Sequence, residues 1–346
     1  MNYFKYIFFF VLMLVSCKTK NKQQDEINKV GITFEDFIIA FGSCNHQEAP
    51  NVFWKEIEKN SPNVWIWGGD VIYTDTEDMA LMSKNYQKQK NKPEYGDFIK
   101  DIEVLGTWDD HDYGVNDGGI EYPKKVEAQE LFLDFIDVDT DDERRQQEGV
   151  YFAKDYKVNN EIIKIILLDT RYFRTTLTRD TITKKRYRQN TYGEGTMLGE
   201  TQWEWLTNQL QNSKASFNII VSSIQFLSSE HGYESWGNML HESDKLVDLI
   251  KTTNAKNTII LSGDRHISEF SKNEVDSLAY PLVDFTSSGM THSYSDFKGE
   301  PNQFRVGEVV SEKSFGVLKF DLKNSIVTMQ MRGENNVLQQ ELIQSY

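Results

Sequence analysis

The chain has 346 residues, 39% hydrophobic and 13% aromatic, enough to bury a sizeable core in one large domain or two modest ones, which excludes a disordered protein. Its 38 Lys and Arg face 53 Asp and Glu; the formal net charge of −15 disfavours broad attraction to nucleic acid or anionic lipid, so an anionic ligand needs a local positive centre. With 21 Gly, 6 Pro and no block repeating at a fixed period, fibrous and solenoid architectures are excluded as well.

The N-terminal segment carries Lys5 and then an apolar run, 7–15, too short to span a bilayer but suited to a signal-peptide core. The run ends in Leu14-Val15-Ser16-Cys17, which resembles a bacterial lipoprotein box. The expectation is a signal peptide over 1–16, a lipid on Cys17 that makes the membrane a partner, a polar tether over 17–35, and one domain over 36–346. The competing reading is an ordinary apolar segment with an incidental cysteine. Lipidation leaves Cys44, the second of two cysteines, without a partner: a buried inert thiol, an intermolecular disulfide or a metal ligand.

Residues 36–42 (DFIIAFG) and 63–67 (NVWIW) read as buried strands around a helix at 51–59, a β-α-β unit. A polar helix over 77–92, an apolar stretch at 102–108 and an amphipathic helix over 124–136 follow. Residues 149–158 and 161–168 read as a strand pair turning at Asn159-Asn160, and 171–195 as a long surface loop. Helices at 199–212 and 240–253 alternate with strands at 217–223 and 257–262; after these come only short strands, at 282–286, 315–320, 325–331 and 337–343. Two sheets with helices outside is the simplest packing of this order, an α/β fold in one domain.

Four apolar runs end in polar, metal-competent clusters: Gly42-Ser43-Cys44-Asn45-His46, Gly69-Asp70 through Tyr73 to Asp75, Trp108-Asp109-Asp110-His111-Asp112, and Ser262-Gly263-Asp264-Arg265-His266. In open α/β sheets, ligands gather at the carboxyl ends of strands. One such cluster would be a capped turn; four are too many for turns alone. Gly68-Gly69 permit a tight path that sets Asp70 at the sheet edge. Asp70 and Tyr73 offer hard oxygen donors to a cation, an N-cap and ordinary packing being the bland alternatives. Three carboxylates within five residues at Trp108 to Asp112 repel one another unless cations or donors lie among them. Arg265, between Asp264 and His266, has the fork that grips a phosphate oxygen. His231, His241 and His292 read as structural or surface residues at least as readily as site histidines.

In this order, Phe41-Gly42-Ser43-Cys44-Asn45, Trp67-Gly68-Gly69-Asp70-Val71-Ile72-Tyr73 and Thr107-Trp108-Asp109-Asp110-His111-Asp112-Tyr113-Gly114 resemble motifs of the PhoD-like alkaline phosphatases, within the metallophosphoesterase superfamily. Leu168-Asp169-Thr170-Arg171-Tyr172-Phe173-Arg174, Leu198-Gly199-Glu200-Thr201-Gln202-Trp203, Leu261-Ser262-Gly263-Asp264-Arg265-His266 and Thr286-Ser287-Ser288-Gly289 are similar to the later motifs, and the resemblance spans residues 36–332. It implies a four-layer αββα sandwich with a two- or three-metal cluster of iron and calcium at one rim. It also implies that Cys44, Asp70, Tyr73, Asp109, Asp110, Asp264 and His266 hold the metals, Asp70 bridging and Cys44 giving a thiolate to iron. Asp110 stands where the wider superfamily has an asparagine. His111 matches the histidine that protonates the leaving group, and Arg265 or Arg171 is expected on the non-bridging oxygens. Two departures are expected: no N-terminal β-domain between Cys17 and Asp36, and a C-terminal strand where some members place a helix over the site, which leaves the site more open.

The expectation is therefore an exported, metal-dependent phosphoric ester hydrolase acting on phosphate mono- or diesters, at the periplasm or cell surface. It is expected to be monomeric, with no stable nucleic-acid complex. The basic stretch Lys184-Lys185-Arg186-Tyr187-Arg188 is open to either ester class or to a purely solvated role. The alternative, a non-catalytic surface lipoprotein that binds a ligand, has no need of so many site groups.

Overall fold

The computed structural model describes residues 36–253 and 255–346, so the expected signal peptide, Cys17 and tether lie outside the described residues. Strands β1 (Phe37–Gly42), β2 (Val64–Gly68) and β3 (Glu103–Thr107) run parallel, and β1 also pairs antiparallel with β11 (Phe315–Asp321). With β12 (Ile326–Arg332) and β13 (Leu338–Ser345) they form a six-stranded sheet in the order β13-β12-β11-β1-β2-β3. The second sheet has seven strands in the order β10-β8-β9-β7-β6-β5-β4. They are β4 (Phe152–Val158), β5 (Glu161–Leu167), β6 (Phe217–Val221), β7 (Thr258–Ser262), β8 (Ser268–Asn273), β9 (Leu282–Ser287) and β10 (Arg305–Val310).

Side-chain alternation builds the layers. In β1, Ile39 and Phe41 join β5, β6, β7 and β9 side chains in a core between the sheets, while Ile38 and Ala40 face a second core containing Trp54, Met82, Phe132 and Phe135. That outer core is covered by helices α1 (Trp54–Glu58), α2 (Met79–Lys90), α3 (Pro93–Phe98) and, beyond the four-residue α4 (Asp110–Tyr113), α5 (Lys125–Phe135). A third core, with Leu206, Trp236 and Ile250, packs α6 (Gly199–Gln211) and α7 (Leu240–Thr253) on the other sheet. The layers run helix, sheet, sheet, helix, the sandwich that the element order and the resemblance led one to expect. No helix among the described residues is long and apolar enough to cross a membrane.

Three features differ from the sequence reading. Strands β8 (SEFSKN) and β10 (RVGEVV) were not anticipated: buried Ser268, Glu269 and Ser271 break the hydrophobic pattern of β8, and β10 is a half-exposed edge strand with Gly307 and Glu308 at its centre; Glu269 is matched by Arg305 of β10 at 2.7 Å. The 171–195 segment has no regular helix or strand but is not wholly a surface loop: Arg171, Tyr172, Arg174, Leu177 and Tyr187 are buried. Residues 93–98 add a short helix behind a Pro that occupies its first turn. The C-terminal strand is present as β13, separated from β1 by β12 and β11.

Candidate metal centre

Parallel strands leave their carboxyl ends on one side, so the loops after β1, β2, β3, β7 and β9 converge there. They are laced by Asn45 N–H donating to Asp70 O at 2.8 Å, Gly263 N–H to Ser223 O at 3.0 Å, and Gly289 N–H to Ser43 O at 3.2 Å. The two sheets close on glycine: a Cβ on Gly263 would lie 2.8 Å from Gly68 O and 2.5 Å from Ser43 Oγ. Cys44 (φ 59°), Asp70 (φ 52°), Asp264 (φ 66°) and His266 (φ 54°) all take left-handed backbone, which costs non-glycine residues about 1 kcal/mol each and concentrates at functional sites.

The side chains of Cys44, Asp70 and His266 meet with Tyr73, and the Asp264 carboxylate lies with those of Asp109 and Asp110. The Cys44 thiol donates to Asp70 Oδ2 at 3.3 Å and lies 3.0 Å from Ser288 Oγ, which accepts from His266 N–H at 2.7 Å. Tyr73 O–H donates to Asp70 Oδ2 at 3.1 Å, and its oxygen lies 3.0 Å from His266 Nε2. Burial pushes the Cys44 thiol up to about 12, and burial with the charges of Asp70 and Cys44 raises Tyr73 well above its ordinary value. Both shifts favour the protonated groups, and a cation beside them acts in the opposite direction. Rings of four of the six histidines surround Tyr73: His111 at 4.2 Å between centroids, His292 at 5.0 Å, His46 at 5.2 Å and His266 at 6.4 Å.

Helix α4 sorts the three carboxylates that follow Trp108. Asp112 is structural: it caps α4 by accepting from Asp109 N–H at 2.7 Å and holds the β2 loop through Asp70 N–H at 3.2 Å and Val71 N–H at 3.0 Å. Asp109 Oδ1 accepts from Ser223 Oγ and Arg171 Nε, both at 2.7 Å, and its Oδ2 is buried with no hydrogen-bond partner among the described residues. Asp110 Oδ2 accepts from Asp117 N–H at 2.7 Å and Asn116 Nδ2 at 3.0 Å, while its Oδ1 is likewise buried and unpartnered. Burial, with Cys44 and Asp110 beside it, raises Asp70 well above the usual carboxylate range; burial, with Asp109 beside it, does the same to Asp264.

Donor atoms of Cys44, Asp70 and His266 lie within 4.8 Å of one another, as do those of Asp70, Asp110 and His111, and those of Asp109, Asp110 and Asp264. Overlapping sets that share Asp70 and Asp110, two orphaned carboxylate oxygens, and a mixed sulfur, phenol, imidazole and carboxylate donor set fit a cluster of two cations.

His111 lies at the rim, its Nδ1 bonded to Asp75 at 2.8 and 3.0 Å and its Nε2 4.0 Å from Asp110 Oδ1. Burial alone would lower it, but the Asp75 hydrogen bond and the Asp70 and Asp110 charges outweigh burial and raise it to about 10. The two arginines have partners other than the phosphate expected of them. Arg171 is fully buried, with Nε on Asp109, Nη1 on Glu234 at 2.6 Å and on Gly118 O at 3.3 Å, so it stands behind the cluster rather than over it. Arg265 grips Glu300 at 2.8 and 2.9 Å and lies 4.1 Å above the Tyr233 ring. His231 and His241 are bonded to Ser228 O and Gly195 O, both at 3.1 Å, and stand outside the cluster's donor sets.

Sequence reasoning missed the partners that act through others. Ser288 lay within a quoted motif without a role, Asp75 closed one of the clusters, and Glu234 and Asp117 carry no local signal. Glu234 is matched only in space, by Arg171 and by Arg174 at 3.0 Å.

The sequence profile of the PhoD-like phosphatases matches residues 39–334. Alkaline phosphatase D of Bacillus subtilis (strain 168) is 29% identical over 118 residues, 32% of this chain and 20% of that protein, so the alignment spans a fifth of that relative. A solved structure of PhoD superposes over 89% of this chain and 68% of its own, with a TM-score of 0.68 and 16% identity. A dimetal phosphatase from Danio rerio covers 90% of this chain and 99% of its own, at a TM-score of 0.52 and 12% identity. The Plasmodium protein GAP50, described as the anchor in the inner membrane complex, covers 89% and 88% at a TM-score of 0.55 and 14% identity. These likenesses at low identity establish the sandwich, and the profile, matched over most of the length, establishes the kinship: the chain belongs to the PhoD-like phosphatase family.

Proposed function

We propose that the protein is a metal-dependent phosphoesterase that hydrolyses phosphate mono- or diesters. The observation that carries this reading is the convergence of Cys44, Asp70, Asp109, Asp110, Asp264 and His266 on overlapping donor sets, with Tyr73 bonded to Asp70 and His266, two buried carboxylate oxygens left unpartnered and His111 at the rim. Cys44, Tyr73 and His266 are the donors suited to iron, and Asp109, Asp110 and Asp264 those suited to calcium, with Asp70 between them. When bound, the metals supply Lewis acidity, which acidifies water and offsets the charge of the phosphoryl oxygens in a protein of charge −15.

The chain's own groups do the rest. Asp75 holds His111 by Nδ1, which turns Nε2 toward the cluster, where it delivers a proton to the departing alkoxide. Arg265 supplies positive charge beside the substrate oxygens, and its attachment to Glu300 and Tyr233 fixes its direction. Arg171 serves by holding Asp109 and Glu234 in place. The fold by itself does not decide catalysis, since a protein described as an anchor shares it; the donor set favours the enzyme over the ligand-binding alternative.

Export as a lipoprotein anchored through Cys17, followed by the tether and the single domain, is part of the same proposal; it rests on the 7–17 sequence and is tested by fatty-acid labelling of wild type beside Cys17→Ala. The enzymatic reading is tested by hydrolysis of nitrophenyl phosphate and bis-nitrophenyl phosphate with iron and calcium present, beside Asp70→Asn. Turnover lost in the variant is expected, and a metal-replete wild type inert on both esters overturns the reading.

A further inference from the structure

Beside the cluster lies a cavity of about 470 Å³ lined by Thr183, Lys184, Lys185, Arg186, His231 and Tyr233. We propose that it is a subsite for a second phosphate-type anion carried by the substrate, so that the preferred ester bears two anionic groups; this rests on the phosphoesterase reading above.

Charge comes first. Residues 179–188 hold five cations, Arg179, Lys184, Lys185, Arg186 and Arg188, against one acid, Asp180, in a chain of net charge −15. The acids within reach are already engaged. Asp180 accepts from Ile182 N–H at 2.8 Å and Thr183 N–H at 2.9 Å, Glu230 from Gln303 N–H at 3.0 Å, and Glu300 from Arg265. Lys184 has no ion-pair or hydrogen-bond partner among the described residues, and Lys185 Nζ donates only to the Glu230 carbonyl at 2.7 Å. Neither ammonium group has an ion-pair partner among the described residues. His231 reports the same positive field: burial, with Arg265 and Lys185 nearby, lowers it to about 3, so it adds no charge of its own.

Connection comes second. Tyr233 forms one wall and carries Arg265, the residue between Asp264 and His266, on its ring at 4.1 Å. Arg186 forms another and is ion-paired with Asp117, whose N–H holds Asp110 Oδ2 at 2.7 Å. Two walls of the cavity are thus one residue away from the residues proposed to hold the metals. An ester bound at the cluster can place a second anion among Lys184 and Lys185, where charge-assisted hydrogen bonds await it.

The test uses a matched pair with one chromogenic bond, read by nitrophenolate release at initial rate: the 5′-(nitrophenyl phosphate) of thymidine, and the same compound bearing a 3′-phosphate. Wild type is expected to show a kcat/KM about tenfold higher for the two-anion ester, expressed mainly in KM and shrinking as salt rises. In Lys184→Ala/Lys185→Ala the preference disappears while the one-anion ester is turned over as before. Equal rates on both esters in wild type, or a preference that survives in the variant, overturns the proposal and leaves a solvated loop. Should metal-replete enzyme hydrolyse no nitrophenyl ester, the phosphoesterase reading fails by itself. Calorimetric binding of thymidine 3′,5′-bisphosphate against thymidine 5′-phosphate to wild type and variant then decides the subsite separately, an equal affinity for both ending it.

Discussion

The Asp75 carboxylate grips His111 Nδ1 through both oxygens, at 2.8 and 3.0 Å, across 36 positions of sequence, and so fixes which ring nitrogen faces the carboxylate cluster. The imidazole is stacked on Tyr73 at 4.2 Å, so neither its tilt nor its protonation is left to solvent.

Replacing Asp75 by Asn removes the charge that favours protonated His111. A general acid works while it holds its proton, and lowering its pKa brings the loss of activity to lower pH. The alkaline limb of the pH–kcat profile is expected to move down, with kcat reduced roughly tenfold to a hundredfold. Steady-state kinetics across pH check this; an unmoved limb removes Asp75 from the mechanism.

Metal removal should make stability fall as pH rises. Burial raises Asp109 to about 7 and Asp112 to about 8 from an ordinary 3.8, and Asp70 and Asp264 well above it. A carboxyl raised in the folded state contributes stability that is complete below its unfolded pKa and is lost as pH rises through the folded one. Melting curves of chelator-treated protein are expected to drop between about pH 4 and about 8, and added metal to restore most at the upper end. A metal-free melting temperature that is flat or rises over that range contradicts the proposal.

Asp70→Asn separates stability from function. Asparagine tolerates the left-handed backbone at φ 52° and removes a carboxyl whose ionisation is opposed by burial and by Cys44 and Asp110. The metal-free variant is expected to be more stable by about 1 kcal/mol, yet to bind less metal and to be inactive. Elemental analysis beside thermal denaturation reads both, and full metal content in an active variant contradicts the role given to Asp70.

Arg171 and Arg265 are expected to fail differently. Arg171→Met leaves buried Asp109 without its cation and Glu234 with Arg174 alone, at a cost of about 3–5 kcal/mol, because the guanidinium has no exposure. Arg265→Met, nearer the rim, is expected to lose less stability and to lower kcat/KM about tenfold to a hundredfold. Urea denaturation and kinetics on the same two proteins distinguish the roles.

Much of this architecture is legible in one dimension. Apolar runs such as FIIAF and VWIW, each followed by glycine and then polar residues, announce parallel strands and the edge where a ligand sits, because burial on both faces needs an unbroken apolar strand. Cys44, without a partner once Cys17 is set aside, stands in one of four polar clusters whose donor types suit a metal. Strand β8 was invisible for the converse reason: its buried Ser268, Glu269 and Ser271 are stabilised by partners elsewhere in the chain and leave no periodicity, while β10 is a half-exposed edge strand interrupted by Gly307 and Glu308.

The layered fold and the polar clusters that end its apolar strands are thus written along the chain. The sequence could not say which of Asp109, Asp110 and Asp112 turns its carboxylate to the cluster, since all three sit within four residues and differ only in the turn of α4. Nor could it say that Arg171 is spent on Asp109, 62 positions away, or that Cys44 meets Ser288 across 244. Those choices were made when two sheets closed on Gly68 and Gly263: hydrophobic periodicity is a local property of the chain, whereas a buried charge takes its partner from whatever the closed fold brings within hydrogen-bonding reach.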